Sequence, residues 1–328
     1  MDRVAWIIGN QVIYWNSLIL TAAAIAAICF FLGLYGVRGG SIVTAFAAVP
    51  LCIAFSLLLG RFIHWYCRAD SYERFFAAMA DPSQAGCALA GAFLGCLLAA
   101  LLLRGIGLSK NLGRMLDCMS VAGAAGIAVG RLASFFDSSD RGQIVESVKT
   151  LPWVYPVVNR VSDSLEYRLA TFSLQALAAG VLFLALLCYF VWSKRRKDGD
   201  TCLIFLLCYG ASQVVLDSTR YDSLYFRSNG FVSLVQVLCA LAMALVTVLF
   251  SVRMVRRRGF RWWYVLIWMG QLALAVGAGY MEYFVQRHGN RAALAYGIMS
   301  ACLAAAVIVT LCIQRAAEKE RGQKLDGR

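Results

Sequence analysis

The run Gly130-Arg131-Leu132-Ala133-Ser134-Phe135-Phe136-Asp137 continues through Ser138, Ser139 and Asp140 to Arg141 and Gly142. It gathers guanidinium groups, hydroxyls and carboxylates into one short stretch. The stretch closes an apolar run, from Asp117 onward, that predicts a membrane helix. An arginine at membrane depth costs about 2.5–3.5 kcal/mol on insertion scales. It therefore marks a ligand site or pathway, or it is an interfacial anchor that snorkels to the headgroups. Gly123, Gly126 and Gly130 recur behind it at helical spacing. Gly126 and Gly130 form a GxxxG pair, which lets a second helix approach closely. Two further helix ends carry similar groups. Arg61 and His64 close the second apolar run, and Asp217, Arg220 and Asp222 follow the sixth, just beyond Tyr209-Gly210. Guanidinium binds phosphate bidentately, so three arginine-bearing helix ends at one interface suit an anionic lipid headgroup. The simpler alternative is that each arginine anchors its own helix end.

The elements that position these groups follow from composition. The chain has 328 residues, 61% of them hydrophobic and 15% charged, with a mean hydropathy of +0.69. A soluble domain carries roughly a quarter charged residues. The expected fold class is an all-α polytopic integral membrane protein, because the apolar runs are too long and continuous for an outer-membrane barrel. The net charge of +13 lies in short loops between apolar runs. That is a topology signal and not a nucleic-acid surface, so no nucleic-acid partner is expected. The twelve cysteines fall mostly inside apolar runs, there is no CxxC, and there are two histidines. No metal site and no cofactor are expected; the cysteines read as small packing residues.

Nine spans are expected, near 17–35, 42–59, 86–103, 117–135, 172–192, 202–216, 232–252, 262–280 and 292–313. The lead before them is amphipathic, with Trp6, Tyr14 and Trp15 suited to an interfacial belt. The first apolar run lacks a basic n-region and a clear cleavage site, so it reads as a retained helix. A shorter apolar piece at 72–79, broken by Asp81-Pro82, suggests an interfacial helix. Every odd-numbered loop is basic: Arg38; Arg104, Lys110 and Arg114; Lys194-Arg195-Arg196-Lys197; Arg253, Arg256, Arg257, Arg258 and Arg261; and the tail with Arg315, Lys319, Arg321, Lys324 and Arg328. These loops are expected in the cytoplasm, which puts the N-terminus outside and the C-terminus inside. The mixed-charge loops, including the longest at 136–171, then face outward with the arginine-bearing helix ends.

Taken together, these segments resemble the bacterial prolipoprotein diacylglyceryl transferases over roughly residues 10–250. The signature GRxGNFxNGE of that family is similar to residues 130–139. A proline-aromatic stretch that often follows it is similar to Leu151-Pro152-Trp153-Val154-Tyr155-Pro156. The segment YGxxRFxxExxR is similar to residues 209–220, SxHGGxxG to residues 88–95, and IxWYG to residues 13–17. The resemblance implies a membrane enzyme that moves the diacylglyceryl group of phosphatidylglycerol onto the thiol of a lipobox cysteine in an exported prolipoprotein. The partners it implies are phosphatidylglycerol and that prolipoprotein, and the location is the bacterial plasma membrane, as a multi-pass protein. Such chemistry needs the lipid phosphate held and its leaving charge stabilised, and a thiolate formed by a base or a positive field.

The departures are specific. The histidine of the family falls on Ala90, and the arginine of the YGxxR segment on Gln213. The two asparagines and the glutamate of the signature fall on Ser134, Asp137 and Ser139. The tyrosine of the early segment falls on Asn16, and the glutamate of the YGxxR segment on Asp217. The expected site is Arg131 as phosphate contact, with Asp137 or Asp217 orienting the arginines or taking the thiol proton. Gly130, Ser134, Tyr209, Gly210, Gln213, Arg220 and Arg61 are expected around the substrate. His64 is a candidate replacement base, or an interfacial histidine among Trp65 and Tyr66. Residues 1–255 are expected to form the transferase-like core, with 256–328 an appended two-helix extension and basic tail. A non-catalytic lipid- or lipoprotein-binding protein on the same fold is the alternative; a transporter is disfavoured because the spans hold almost no charges.

Overall fold

The computed structural model describes residues 4–9, 11–72, 75–80, 86–137, 140–145, 154–158, 165–193, 197–226, 229–287 and 291–326. A hairpin of β1 (Val4–Ile8) and β2 (Gln11–Tyr14) leads into α1 (Trp15–Val37). Then come α2 (Ile42–Cys67), the short α3 (Phe75–Ala80), α4 (Leu89–Gly105) and α5 (Leu112–Gly130). The last of these tightens into a 3₁₀ turn over Arg131–Phe135. The strands β3 (Val154–Val158) and β4 (Leu165–Leu169) pair antiparallel, with Val154 opposite Leu169. Next are α6 (Thr171–Trp192), α7 (Asp200–Ser218), the hairpin β5 (Tyr225–Phe226) and β6 (Asn229–Ser233), and α8 (Leu234–Arg258). The chain ends with α9 (Trp263–Arg287) and α10 (Ala292–Asp326).

Among the described residues, eight helical stretches are long and apolar enough to cross a membrane, and α4 is a shorter apolar helix. The chain is an all-α polytopic membrane protein, and each of the nine expected spans falls on a helix. Three details differ from expectation. The amphipathic lead is a β-hairpin, turning at Gly9 with φ +59°. Helix α2 runs two turns past Leu59, so Arg61 and His64 lie within it. The interfacial piece at 72–79 is the short helix α3; Asp81 and Pro82 lie outside the described residues.

Small residues set which helices touch. A Cβ on Gly91 would lie 2.3 Å from the Leu59 carbonyl oxygen, and one on Gly95 2.4 Å from the Ser56 nitrogen. Helix α4 therefore rests directly on the α2 backbone. The expected GxxxG approach is made by α1: a Cβ on Gly126 would stand 3.1 Å from the Ala27 methyl. In lipid such close packing, rather than transfer of apolar surface, holds helices together.

Two cores meet on α7. One joins Phe31, Tyr35, Met115, Val121, Phe190 and Phe205 from α1, α5, α6 and α7. The other joins Leu207 to Val246, Phe250, Tyr264 and Met299 of α8, α9 and α10. The basic end of the bundle is stitched by buried carboxylates. Asp117 is 1% exposed and accepts from the backbone nitrogens of Gly199 and Cys202, both at 2.9 Å. It thus satisfies donors at the N-terminus of α7, where a helix dipole favours negative charge.

Candidate functional site

The opposite end of the bundle gathers the arginines. Close packing of α5 on α1 brings Arg131 to the C-cap of α5. The turn that follows is pinned by Arg141, which is 6% exposed. Its guanidinium donates to the carbonyls of Ser134 at 3.1 Å and Asp137 at 2.6 Å, and lies over the Phe172 ring. Phe135 meets the same ring edge-on at 4.6 Å. Asp140 then takes a left-handed backbone with φ +57°. Aspartate tolerates that region at modest cost, and such outliers cluster at functional sites. The Asp222 carboxylate accepts from the Asp140 backbone nitrogen at 3.0 Å and holds it there.

This turn aims the Asp140 carboxylate between two guanidiniums. Arg131 meets one oxygen at 2.6 Å and Arg220 the other at 2.6 Å. Arg220 also reaches Asp222 at 3.0 Å and Asp217 at 3.4 Å. Ser134 donates to Asp140 at 3.0 Å, and Arg131 bonds the Tyr209 hydroxyl. Burial pushes the Asp140 carboxyl up, but Arg131 and Arg220 beside it outweigh that and hold it at about 2. Burial likewise opposes the charge of Arg220, and the facing Asp140 and Asp222 carboxylates raise its affinity for its proton.

Helix periodicity supplies the wall. Tyr209, Gln213 and Asp217 are each one turn apart and all are buried, at 6%, 1% and 1% exposure. Gln213 accepts from Gln175 of α6 at 3.1 Å. Asp217 is gripped on both oxygens, by Arg220 on one and by a short hydrogen bond from Ser233 on the other. Ser233 is itself the N-cap of α8, in a capping box with Gln236. Asp217 therefore ties α7 to α8. Phe93 of α4 packs on Tyr209 with ring centroids 5.5 Å apart.

The expected site residues separate into four groups. Arg131, Ser134, Tyr209, Asp217 and Arg220 converge on one network, with Gln213 in the wall beneath. Asp137 sits at its rim: Asn16 donates to it at 3.4 Å, and Trp15 stacks on Phe136 at 5.7 Å. The early segment and the glycine-arginine segment are thus brought together. Gly130 and Gly210 pack helices. A Cβ on Gly210 would lie 3.0 Å from the Met243 side chain, and one on Gly130 3.6 Å from Ala23. Arg61 donates to the carbonyls of Ala78 at 3.1 Å and Met79 at 3.4 Å, fastening α3. His64 pairs with the Tyr72 hydroxyl at 2.7 Å under Gly86, whose φ of +143° and missing side chain leave room for the ring. Arg68, one turn on, donates to the Asp222 carbonyl at 3.1 Å. Ser138, Ser139 and Leu151-Pro152-Trp153 lie outside the described residues.

The chain matches the family model of prolipoprotein diacylglyceryl transferase over residues 3–252. It belongs to this family. A relative from Finegoldia magna, named phosphatidylglycerol--prolipoprotein diacylglyceryl transferase, is 22% identical over 258 residues, covering 78% of this chain and 98% of that protein. One of the same name from Legionella pneumophila is 30% identical over 162 residues, covering 47% of this chain and 58% of that protein. Another, from Streptococcus equi subsp. zooepidemicus, is 27% identical over 120 residues, covering 35% and 44%.

Sequence reasoning named Asp140 and Asp222 among the charged residues at this end but left them outside the expected site. It missed Ser233 and Gln175 altogether. Gln175 meets Gln213 thirty-eight positions on, Ser233 meets Asp217 sixteen positions back, and Asp140 meets Asp222 eighty-two positions on, so no local period marks them. The usable signal was the alternation of arginine and aspartate on both sides: Arg131, Asp137, Asp140 and Arg141 against Asp217, Arg220 and Asp222.

Proposed function

We propose that this family member transfers the diacylglyceryl group of phosphatidylglycerol to the thiol of a lipobox cysteine in an exported prolipoprotein, at the outer leaflet of the bacterial plasma membrane. The observation that carries this is the convergence of Arg131 and Arg220, from the ends of two different helices, on a single carboxylate between them. An oxyanion held by two buried guanidiniums is the arrangement a lipid phosphate requires. In this reading the phosphate displaces or joins Asp140, while Tyr209 and Asp217 fix the two arginines. The thiolate sulfur attacks the glyceryl carbon, a C–S bond forms, and the C–O bond to phosphate breaks. Glycerol phosphate leaves with the electron pair, its charge stabilised by the arginines. The positive field also favours thiolate. Asp217 acts through Arg220 and Ser233 as a positioning residue. In this reading Asp137, at the rim beside Asn16, takes the thiol proton.

The basic loops support an external N-terminus and a cytoplasmic C-terminus, with the arginine network facing out. The family match ends at residue 252. That supports a core of 1–255 and an extension of 256–328, which packs as the α9–α10 pair against α7 and α8.

One observation favours the non-catalytic reading. The two guanidiniums face three carboxylates, Asp140, Asp217 and Asp222, so the network is already charge-compensated. Purified chain incubated with phosphatidylglycerol and a lipobox peptide decides between the two. Lipid-dependent appearance of the diacylglyceryl thioether, with glycerol phosphate released, supports the transferase. Phosphatidylglycerol binding without transfer supports the binding protein.

A further inference from the structure

A second lipid-facing feature lies outside the arginine network. Helix α9 is held by α10, and α10 packs on α8 and α7. Helices α8 and α9 are thereby kept apart, bridged toward the basic end where Trp268 donates to Ser251 at 3.1 Å. Between them runs a cleft of about 1070 Å³, lined by apolar groups including Val237, Leu241, Val248, Leu272 and Ala275. The polar groups at mid-depth satisfy one another. Gln271 donates to Thr310 and to the Ala306 carbonyl, both at 3.0 Å, and Thr310 meets Thr247 at 3.0 Å.

Glu282 differs. It lines the cleft and is 7% exposed. One carboxylate oxygen accepts from Gln286 at 3.0 Å, whereas Oε2 is buried without a hydrogen-bond partner. A buried, half-satisfied carboxylate on a membrane helix is costly and points to a ligand. From Glu282 to Trp268 the helix rises about 21 Å at 1.5 Å per residue. That exceeds the ~15 Å hydrocarbon depth of one leaflet. The cleft thus offers one demanding polar end and a long apolar body, the shape of a lipid. Charge selects which lipid. A bare phosphate headgroup would be repelled by Glu282. Arg256, the cation among the described lining residues, lies at the other end of α8.

We propose that this cleft seats a membrane phospholipid with an ammonium headgroup of the ethanolamine type. The ammonium pairs with Glu282 and an acyl chain lies between α8 and α9. Tyr296 of α10 donates to the Ser218 carbonyl at the end of α7 at 3.3 Å, which ties the helix pair bearing the cleft to the helix that leads into the arginine network. The chain then holds two lipids of opposite headgroup preference.

The test uses the full chain in nanodiscs of phosphatidylcholine doped with either phosphatidylethanolamine or phosphatidylglycerol. Lipids that stay bound through detergent exchange are quantified by mass spectrometry. Phosphatidylcholine lacks a donor, so the wild-type chain should retain phosphatidylethanolamine about tenfold over it, the scale of one charge-assisted hydrogen bond. Glu282→Gln should erase that preference, and Ala275→Trp should evict the lipid. Equal retention of the two lipids by the wild type would overturn the proposal without any variant. So would an unchanged preference in Glu282→Gln. Retention of phosphatidylglycerol through Arg131 should survive both variants. Its loss from the wild type would count against the phosphate site and leave the cleft untouched.

Discussion

Asp140→Asn tests the centre of the network. Asparagine keeps the size and one acceptor but removes the charge that both arginines hold at 2.6 Å. Arg220 still has Asp217 and Asp222, whereas Arg131 keeps the Tyr209 hydroxyl but loses its carboxylate. Both guanidiniums are shielded, with side chains 14% and 13% exposed. Breaking such a buried pair costs about 3–5 kcal/mol. The lowering of the Asp140 carboxyl from 3.8 to about 2 corresponds to about 2–3 kcal/mol by linkage. The two routes meet near 3 kcal/mol, and the retained acceptor favours that lower end. The sign with pH follows from the depressed pKa. The bridge contributes fully above 3.8 and is lost as pH falls through about 2. The variant should lack this acid-dependent loss. If a lipid phosphate replaces the carboxylate, phosphatidylglycerol should stabilise the variant more than the wild type. Thermal unfolding in detergent, with and without phosphatidylglycerol, reads both effects. An Asp140→Asn chain as stable as wild type, or one gaining no more from the lipid, refutes the reasoning.

Arg131→Lys should weaken phosphatidylglycerol binding nearly as much as Arg131→Ala, because lysine lacks the planar fork; wild-type binding by the lysine variant would leave Arg131 an interfacial anchor. Asp117→Ala should destabilise by about 1–3 kcal/mol, since two buried N–H groups at the start of α7 lose their acceptor, measurable in the same unfolding assay. Gly210→Val should cost about 1–3 kcal/mol through overpacking against Met243, and a variant of normal stability that lost only lipid binding would instead put Gly210 at the substrate. Reporter fusions after Lys197 and after Arg258 should behave as cytoplasmic and one near Val158 as external; a cytoplasmic Val158 fusion would reverse the orientation.

The helices were legible because a bilayer demands about 20 apolar residues and the chain supplies them in separated runs. Their ends were less so. Gly60-Arg61-Phe62-Ile63-His64 reads as the close of a span, yet nothing in it stops a helix, and α2 continues to Cys67. The lead hairpin did carry a sequence signal, the Gly9-Asn10 dipeptide between short apolar stretches, which the aromatic-belt reading passed over. At the site, family resemblance named Arg131, Tyr209 and Arg220, which the fold brings into one network. It could not distinguish a glycine that touches substrate from one that admits a helix. Gly91 and Gly95 are of the second kind, shaped by the α2 backbone 2.3–2.4 Å from where their side chains would begin. Asp140 was hidden for another reason. Its role depends on a left-handed turn and on Asp222, eighty-two positions away, and no local pattern encodes that meeting.

Helix α7 joins these observations into one electrostatic design. Its N-terminus is met by carboxylates, Asp117 accepting from two backbone nitrogens and Asp200 from that of Lys197. Beyond its C-terminus stands Arg220, and Arg131 caps the C-terminus of α5 nearby. Each charge lies at the helix end whose dipole favours it. The two arginines are thus held charged by helix ends as well as by Asp140, so an incoming phosphate need not create their positive field. It has to compete with Asp140, the one carboxylate both arginines share, while Asp217 and Asp222 stay on Arg220. The proposed exchange of phosphate for Asp140 therefore depends on a single residue, and substitution at that position separates binding to the arginines from the integrity of the bundle.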